Sequence, residues 1–320
     1  MEKNYLKIER NVQGYDYWET SGFDNLYEII DFTMTLRLPQ QKVNFLRKFD
    51  WETGKGFDEF LSSIKEKNND NKNSFWSFRG QRDPEWNLAI APRDMDNIPN
   101  AKVHYGTWFE QYKTRMMEFY ETKHLEQIKQ DDKWNWLFYA NHHELYTRLL
   151  DWSSNPLVAI YFAVEDILSA RGNPPNLKEK GGSVWALKVN EEDFLSIDDV
   201  RKKYSGLTPA TGEGEVIVNG VKRELTQDDW FMINPEPITK RIARQSCKFT
   251  YHPGDFKQEP LNRMKRRNGE VLVKININSG GKDIIRKQLG IMNIHHAYLF
   301  PSPTDVAQFV NSEWPDIARY

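Results

Sequence analysis

Residues 147–163, Thr-Arg-Leu-Leu-Asp-Trp-Ser-Ser-Asn-Pro-Leu-Val-Ala-Ile-Tyr-Phe-Ala, constrain this chain more than any other stretch. A polar, charge-paired loop runs directly into an apolar helix. Ser153, Ser154 or Asn155 can cap that helix and Pro156 suits its first turn. Leu157, Ile160, Tyr161 and Val164 recur at helical spacing. A helix start of this kind offers N–H groups and a partial positive charge, which suits a phosphate. The same spacing equally describes a well-capped core helix.

Composition limits what can surround this segment. With 320 residues, 39% of them hydrophobic and 13% aromatic, the chain can bury one large core, or one core and a smaller accessory domain. A formal net charge of −2 gives no electrostatic footprint for general nucleic-acid binding. Cys247 is the single cysteine, so the sequence implies neither a disulfide framework nor a Cys-rich zinc site, and a cytoplasmic location is expected. The first ten residues lack the apolar core of a signal peptide, and no run of about 18 apolar residues exists for a membrane span.

The periodicity predicts helices over 23–49, 57–66, 108–128, 133–145 and 155–169, with later ones at 282–289 and 304–312. Gly290 sits where a helix C-terminal glycine belongs. Strands are expected at 75–78, 183–189, 247–251, 270–277 and 296–300, and the Asn219-Gly220 step within 215–225 is the best hairpin signal. A polar run at 67–74 separates an N-terminal helical region, 1–74, from the remainder at 75–320, within which 190–235 reads as an insertion. Helices and strands interleave without a regular βαβ rhythm. The fold class is therefore α+β, a mixed or antiparallel sheet core with flanking helices behind an N-terminal helical lead-in.

Five places draw attention as chemistry. Arg79 stands at a predicted strand end beside Gly80, where a planar guanidinium could grip a phosphate and the glycine let a ligand or backbone approach closely. Arg148 and Asp151 lie three apart among Leu149, Leu150 and Trp152, which fits either a buried ion pair or a carboxylate that orients a ligand. His142 and His143 are placed to hydrogen-bond near the Asp151 loop, and one of them faces inward; His295-His296 form a second pair. Neither pair has metal-site spacing, and no metal is expected. Gln245 follows the basic turn Arg241–Arg244 and leads into a β-prone run. Ser nucleophile elbows, P-loops and GxGxxG fingerprints are absent.

Taken together, Phe75-Trp-Ser-Phe-Arg-Gly-Gln81, the run Asn141–Ala163, and Arg241-Ile-Ala-Arg-Gln245 with Phe249 resemble the FRG domain family, named for its Phe-Arg-Gly signature. The resemblance extends to Ile291 and Leu299-Phe-Pro301, covering about 75–320. The family pattern has Gln-His-His-Gly and then a Pro before the Thr-Arg-Leu-Leu-Asp-Trp core, where this chain has Asn141, Glu144 and Tyr146. Ser246-Cys247 stands where a Gln-Gly step is common.

A second, fainter similarity is to ADP-ribosyltransferases, whose three-part NAD site follows the same order. It implies an ADP-ribosyltransferase-like fold with NAD as substrate. Arg79, Gly80 and Arg148 would then serve the nucleotide, with Ser153 or Ser154 at the nicotinamide ribose, and Gln245 would take the place of the family's glutamate with Asp151 and His143 beside the chemistry. A neutral amide supplies less of the electrostatic stabilisation that a carboxylate gives to an oxocarbenium-like charge. The implied activity is transfer of ADP-ribose to an unknown macromolecular target, or hydrolysis of NAD, in a toxin or phage-defence effector. The alternative is a non-catalytic module that binds a nucleotide or nucleic-acid end and docks a partner on 1–74. A purely structural protein is the third reading.

Overall fold

The computed structural model describes residues 8–10, 17–37, 74–90, 101–119, 128–165, 180–218, 220–255, 258–267 and 269–313. Its strands are β1 (Ile8–Arg10), β2 (Trp18–Thr20), β3 (Ser74–Gln81), β4 (Leu149–Ser153), β5 (Gly182–Asn190), β6 (Phe194–Ser196), β7 (Glu215–Val218), β8 (Val221–Glu224), β9 (Phe231–Asn234), β10 (Cys247–Tyr251) and β11 (Val271–Ile277). Its helices are α1 (Leu26–Arg37), α2 (Ala101–Met116), α3 (Lys133–His142), α4 (Pro156–Val164), α5 (Ile197–Lys203), α6 (Lys240–Arg244), α7 (Lys282–Ile291), α8 (His296–Leu299) and α9 (Pro303–Glu313). The class is α+β, with mixed sheet flanked by helices. No described helix is long and apolar enough to cross a membrane.

Two compact units share the chain discontinuously. The first takes 1–86, 153–190 and 264–320, and the second 87–152 and 191–263. In the first unit the strand order is β1-β2-β11-β5-β3. β2 and β11 run parallel and the other pairs antiparallel. Phe78, Ala186 and Val273 point from one face of this sheet into a core shared with Val158 and Ala159 of α4 and Ile285 and Leu289 of α7. In the second unit the order is β4-β10-β9-β6, with β6 parallel to β9 and β10 antiparallel to it. Its core is aromatic: Phe138 stacks on Phe249 at 4.9 Å and Tyr204 on Phe231 at 4.5 Å.

Several expectations change here. The polar stretch after His143 does not stay a loop, because Leu149–Ser153 pairs as β4 before α4 begins. Residues 296–299 form helix α8 in place of the expected strand. Gly290 lies inside α7 and the helix runs on to Ile291. The left-handed residue that follows is Asn293 at φ 61°, where a short polar side chain tolerates that conformation. The predicted helix at 57–66, residues 67–73 of the polar run and the helix extension over 38–49 fall outside the described residues, while Ser74 opens β3.

Candidate functional site

On β3 the alternation that sends Trp76 and Phe78 into the core turns Arg79 to the opposite face. There Arg79 pairs in register with Trp185, which pairs with Lys274, which pairs with Glu19. The row is a graded polar set: Lys274 bonds Glu19 at 2.9 Å and lies 5.7 Å from the Trp185 ring, whose Nε1 donates to Gln81 Oε1 at 2.7 Å. Gln81, unremarked in the sequence beyond its place in the Phe-Arg-Gly run, thus orients the ring beside Arg79.

Gly80 is where backbone approaches closely. A Cβ on it would lie 1.8 Å from the Ala159 carbonyl oxygen and 2.7 Å from Ala163 N. Gly182 of β5 meets the same helix, its added Cβ 2.4 Å from Ala163 O. The Ala159-x-x-x-Ala163 spacing on α4 and these two glycines let helix and sheet approach closely.

At the start of α4, Asn155 is the cap: its Oδ1 accepts from Leu157 N at 3.0 Å, and Pro156 opens the first turn. Ser153 accepts from Asn155 N at 3.0 Å. It also pairs in register with Phe78, so it shares the face of that ring and not the face of Arg79. Of the two serines, half-buried Ser154 is the one outside this capping pair.

In the second unit Arg148 is fully buried. Its Nε donates to Ala210 O at 3.1 Å and its Nη1 to His252 O at 3.2 Å. Gly212, at φ 75°, passes so close that an added Cβ would sit 2.5 Å from the guanidinium carbon. Burial lowers the Arg148 pKa, offset in part by Tyr251 and Tyr105. Arg148 therefore staples two connecting segments from inside, and the exposed Asp151 is held elsewhere.

Asp151 Oδ1 accepts from Asn141 Nδ2 at 2.5 Å, Asn141 Oδ1 accepts from Thr147 Oγ1 at 2.5 Å, and Thr147 Oγ1 accepts from Leu149 N at 3.2 Å. Three polar residues of the Asn141–Asp151 run thereby make one chain of bonds that fixes the turn between α3 and β4.

The two adjacent histidines separate by depth. His142 is buried with Nε2 3.5 Å from Cys247 Sγ, and burial, then Arg241 and His143, hold its pKa well below the usual histidine range. His143 faces outward, its ring 4.3 Å from Tyr139, and partial desolvation together with Arg241 lowers its pKa. Arg241 Nη1 donates to the His142 carbonyl.

Gln245 is not the first residue of a strand. It terminates α6 and is buried, its N–H donating to Arg241 O at 3.0 Å, and Ser246 at φ 49° makes the step into β10. Cys247 Sγ donates to Gln245 Oε1 at 3.8 Å, and burial followed by the Asp151 charge pushes the thiol pKa up. That keeps the sulfur a thiol and argues against a nucleophilic role. Asp151, His142, Gln245 and Arg241 are accordingly gathered around Cys247 in the second unit, whereas Arg148 turns to another carbonyl pair. Arg79, Gly80, Ser153 and Ser154 belong to the first unit. Among the described residues no cluster of three or more His, Cys, Asp or Glu could hold a metal ion.

Residues 56–171 match the FRG domain family, and the chain carries an FRG domain there. That span takes in β3, β4 and α4 with the Arg79 and Asp151 segments. No curated protein and no solved structure matches the chain.

Proposed function

We propose that this FRG domain protein is ADP-ribosyltransferase-like: it binds NAD or a related nucleotide and cleaves the bond between nicotinamide and ribose, passing ADP-ribose to a macromolecule or to water, as an effector would. The observation that carries the reading is the surroundings of Gln245. The amide is neutral, but Cys247, which bonds it, also feels the charge of Asp151, an exposed carboxylate held by Asn141 at 2.5 Å. A fixed carboxylate of this kind stabilises positive charge that develops on the ribose as nicotinamide departs with the bonding pair.

The test is incubation of the full chain with NAD, with nicotinamide release and thermal shift followed together. Asp151→Asn is expected to lower turnover by about 100-fold or more, in the range of a lost electrostatic stabiliser, with the thermal shift retained. Neither release nor shift with the wild-type chain overturns the proposal.

The buried neutral amide of Gln245 favours a second reading, a nucleotide-binding module without turnover. Stabilisation by NAD with no nicotinamide formed selects that reading.

A further inference from the structure

A cavity of about 560 Å³ in the second unit is lined by neither Asp151 nor Gln245. Its wall comes from the start of α3, the end of α5 and the segments that follow α5 and β9.

Asp132 caps α3 at this wall. Its Oδ1 accepts from Asn135 N at 3.2 Å and its Oδ2 from Asn135 Nδ2 at 2.9 Å. The same Nδ2 donates to Glu236 Oε2 at 3.3 Å. A carboxylate only accepts, so the amide nitrogen must face these two groups and the orientation of the amide is fixed. That leaves the amide oxygen as the atom to be satisfied. Asn135 is 3% exposed and lines the cavity, and its Oδ1 accepts no hydrogen bond from any described residue. A buried acceptor in this condition destabilises the fold until a donor reaches it.

The surrounding charges set what that donor should carry. Arg201 is committed, with Nη2 at 2.7 Å from Asp132 and Nη1 at 3.0 Å from Asp198. Glu236 is exposed at the cavity edge, where Asn135 is its one hydrogen-bond partner among the described residues, and it acts on Arg201 only at a distance. Asp131 adds a second exposed carboxylate. Lys129 and Lys133 also line the cavity, but both are exposed and long enough to keep their ammonium groups in water. An anion at Asn135 would set acceptor against acceptor. A cation with diverging N–H donors satisfies the amide oxygen and Glu236 together. Guanidinium has such donors in one plane, and its weak hydration lets its flat face lie against apolar wall such as Trp134 and Pro209.

We propose that this cavity binds a guanidinium group on an apolar stem, held by Asn135 Oδ1 and the Glu236 carboxylate, with the stem along Leu207 and Pro209. Two sources share that chemistry, a free alkylguanidine and an arginine side chain of a polypeptide.

Calorimetric titration of the full chain with n-butylguanidinium at physiological ionic strength tests the site, and n-butylurea is the neutral comparison of the same shape. Butylguanidinium is expected to bind saturably with a Kd of about 1 mM or lower. Butylurea should bind about tenfold or more weakly, the scale of one charge-assisted hydrogen bond. Glu236→Gln keeps the side-chain volume at an exposed position and should weaken butylguanidinium by about tenfold or more. Glu192→Gln, exposed and outside the cavity wall, should leave its affinity unchanged. In nitrogen-15 spectra the side-chain amide of Asn135 should move over the same titration. Agmatine and an arginine blocked at both ends then separate the sources: tighter binding of the first selects a free alkylguanidine, and of the second a polypeptide. No saturable binding of butylguanidinium up to about 10 mM, equal affinity for butylurea, an unchanged affinity in Glu236→Gln or an unmoved Asn135 amide overturns the site. Nicotinamide release enters none of these readouts, so the NAD reading stands or falls separately.

Discussion

Arg148 and Asp151 are three residues apart, yet the structure gives them opposite tasks, and substitution separates the two. Removing the Arg148 guanidinium leaves the carbonyls of Ala210 and His252 buried without their donor. At about 1–3 kcal/mol for each unsatisfied group, Arg148→Met should cost about 2–6 kcal/mol in urea unfolding. Asp151 is exposed, so Asp151→Asn should change stability by less than about 1 kcal/mol while it alters NAD turnover. If the two variants destabilise equally, the division between staple and candidate chemical group is wrong. The sequence made both residues visible, because charges among Leu149, Leu150 and Trp152 need partners. It could not reveal their directions, since the partners of Arg148 are backbone carbonyls more than 60 residues away and carry no side-chain signature.

Single elements were legible where one period dominates. Cys247–Tyr251 forms as its β-prone run predicts, and α4 starts at the expected proline. The failures have a physical cause in each case. His-Ala-Tyr-Leu at 296–299 is too short for period to choose between strand and helix, and the contacts of His296 with Glu165 and Asp305 set it as α8. Gly290 read as a helix terminator because glycine is common there, but it sits within α7 at ordinary φ with nothing within 4 Å of an added Cβ. Gly290→Ala should therefore stabilise the chain by about 0.4–1 kcal/mol, seen as a higher urea midpoint. Gly80→Ala should do the reverse, because its Cβ meets the α4 backbone at Ala159 and Ala163, and overpacking of this kind costs about 1–3 kcal/mol. Equal and small effects from the two substitutions would show that α4 does not need the close approach at β3.

On the scale of the whole molecule, the interleaving of two units along the chain has no local signal, because it is created by pairings such as β11 with β5 and β4 with β10 that join distant segments. Its consequence is that acid acts on each unit through a different group. His142 lies in the second unit, and burial holds its pKa well below the ordinary histidine value of about 6.5. The unfolded chain therefore takes up a proton that the native form refuses. Stability from this site is complete above about pH 6.5 and falls as pH drops below it, by up to about 1.4 kcal/mol per pH unit. In the first unit, burial of Asp83 is outweighed by its bonds to Lys180 and the Glu85 N–H, so its pKa lies below the ordinary aspartate value of 3.8. Its contribution is present above 3.8 and is lost only as pH falls further. Hydrogen exchange followed between pH 7 and 4 should accordingly show residues 128–152 losing protection while 271–277 retain it, and His142→Gln should remove the difference. Parallel loss in both segments of the wild-type chain would mean that the units open as one and that His142 does not set the acid limit.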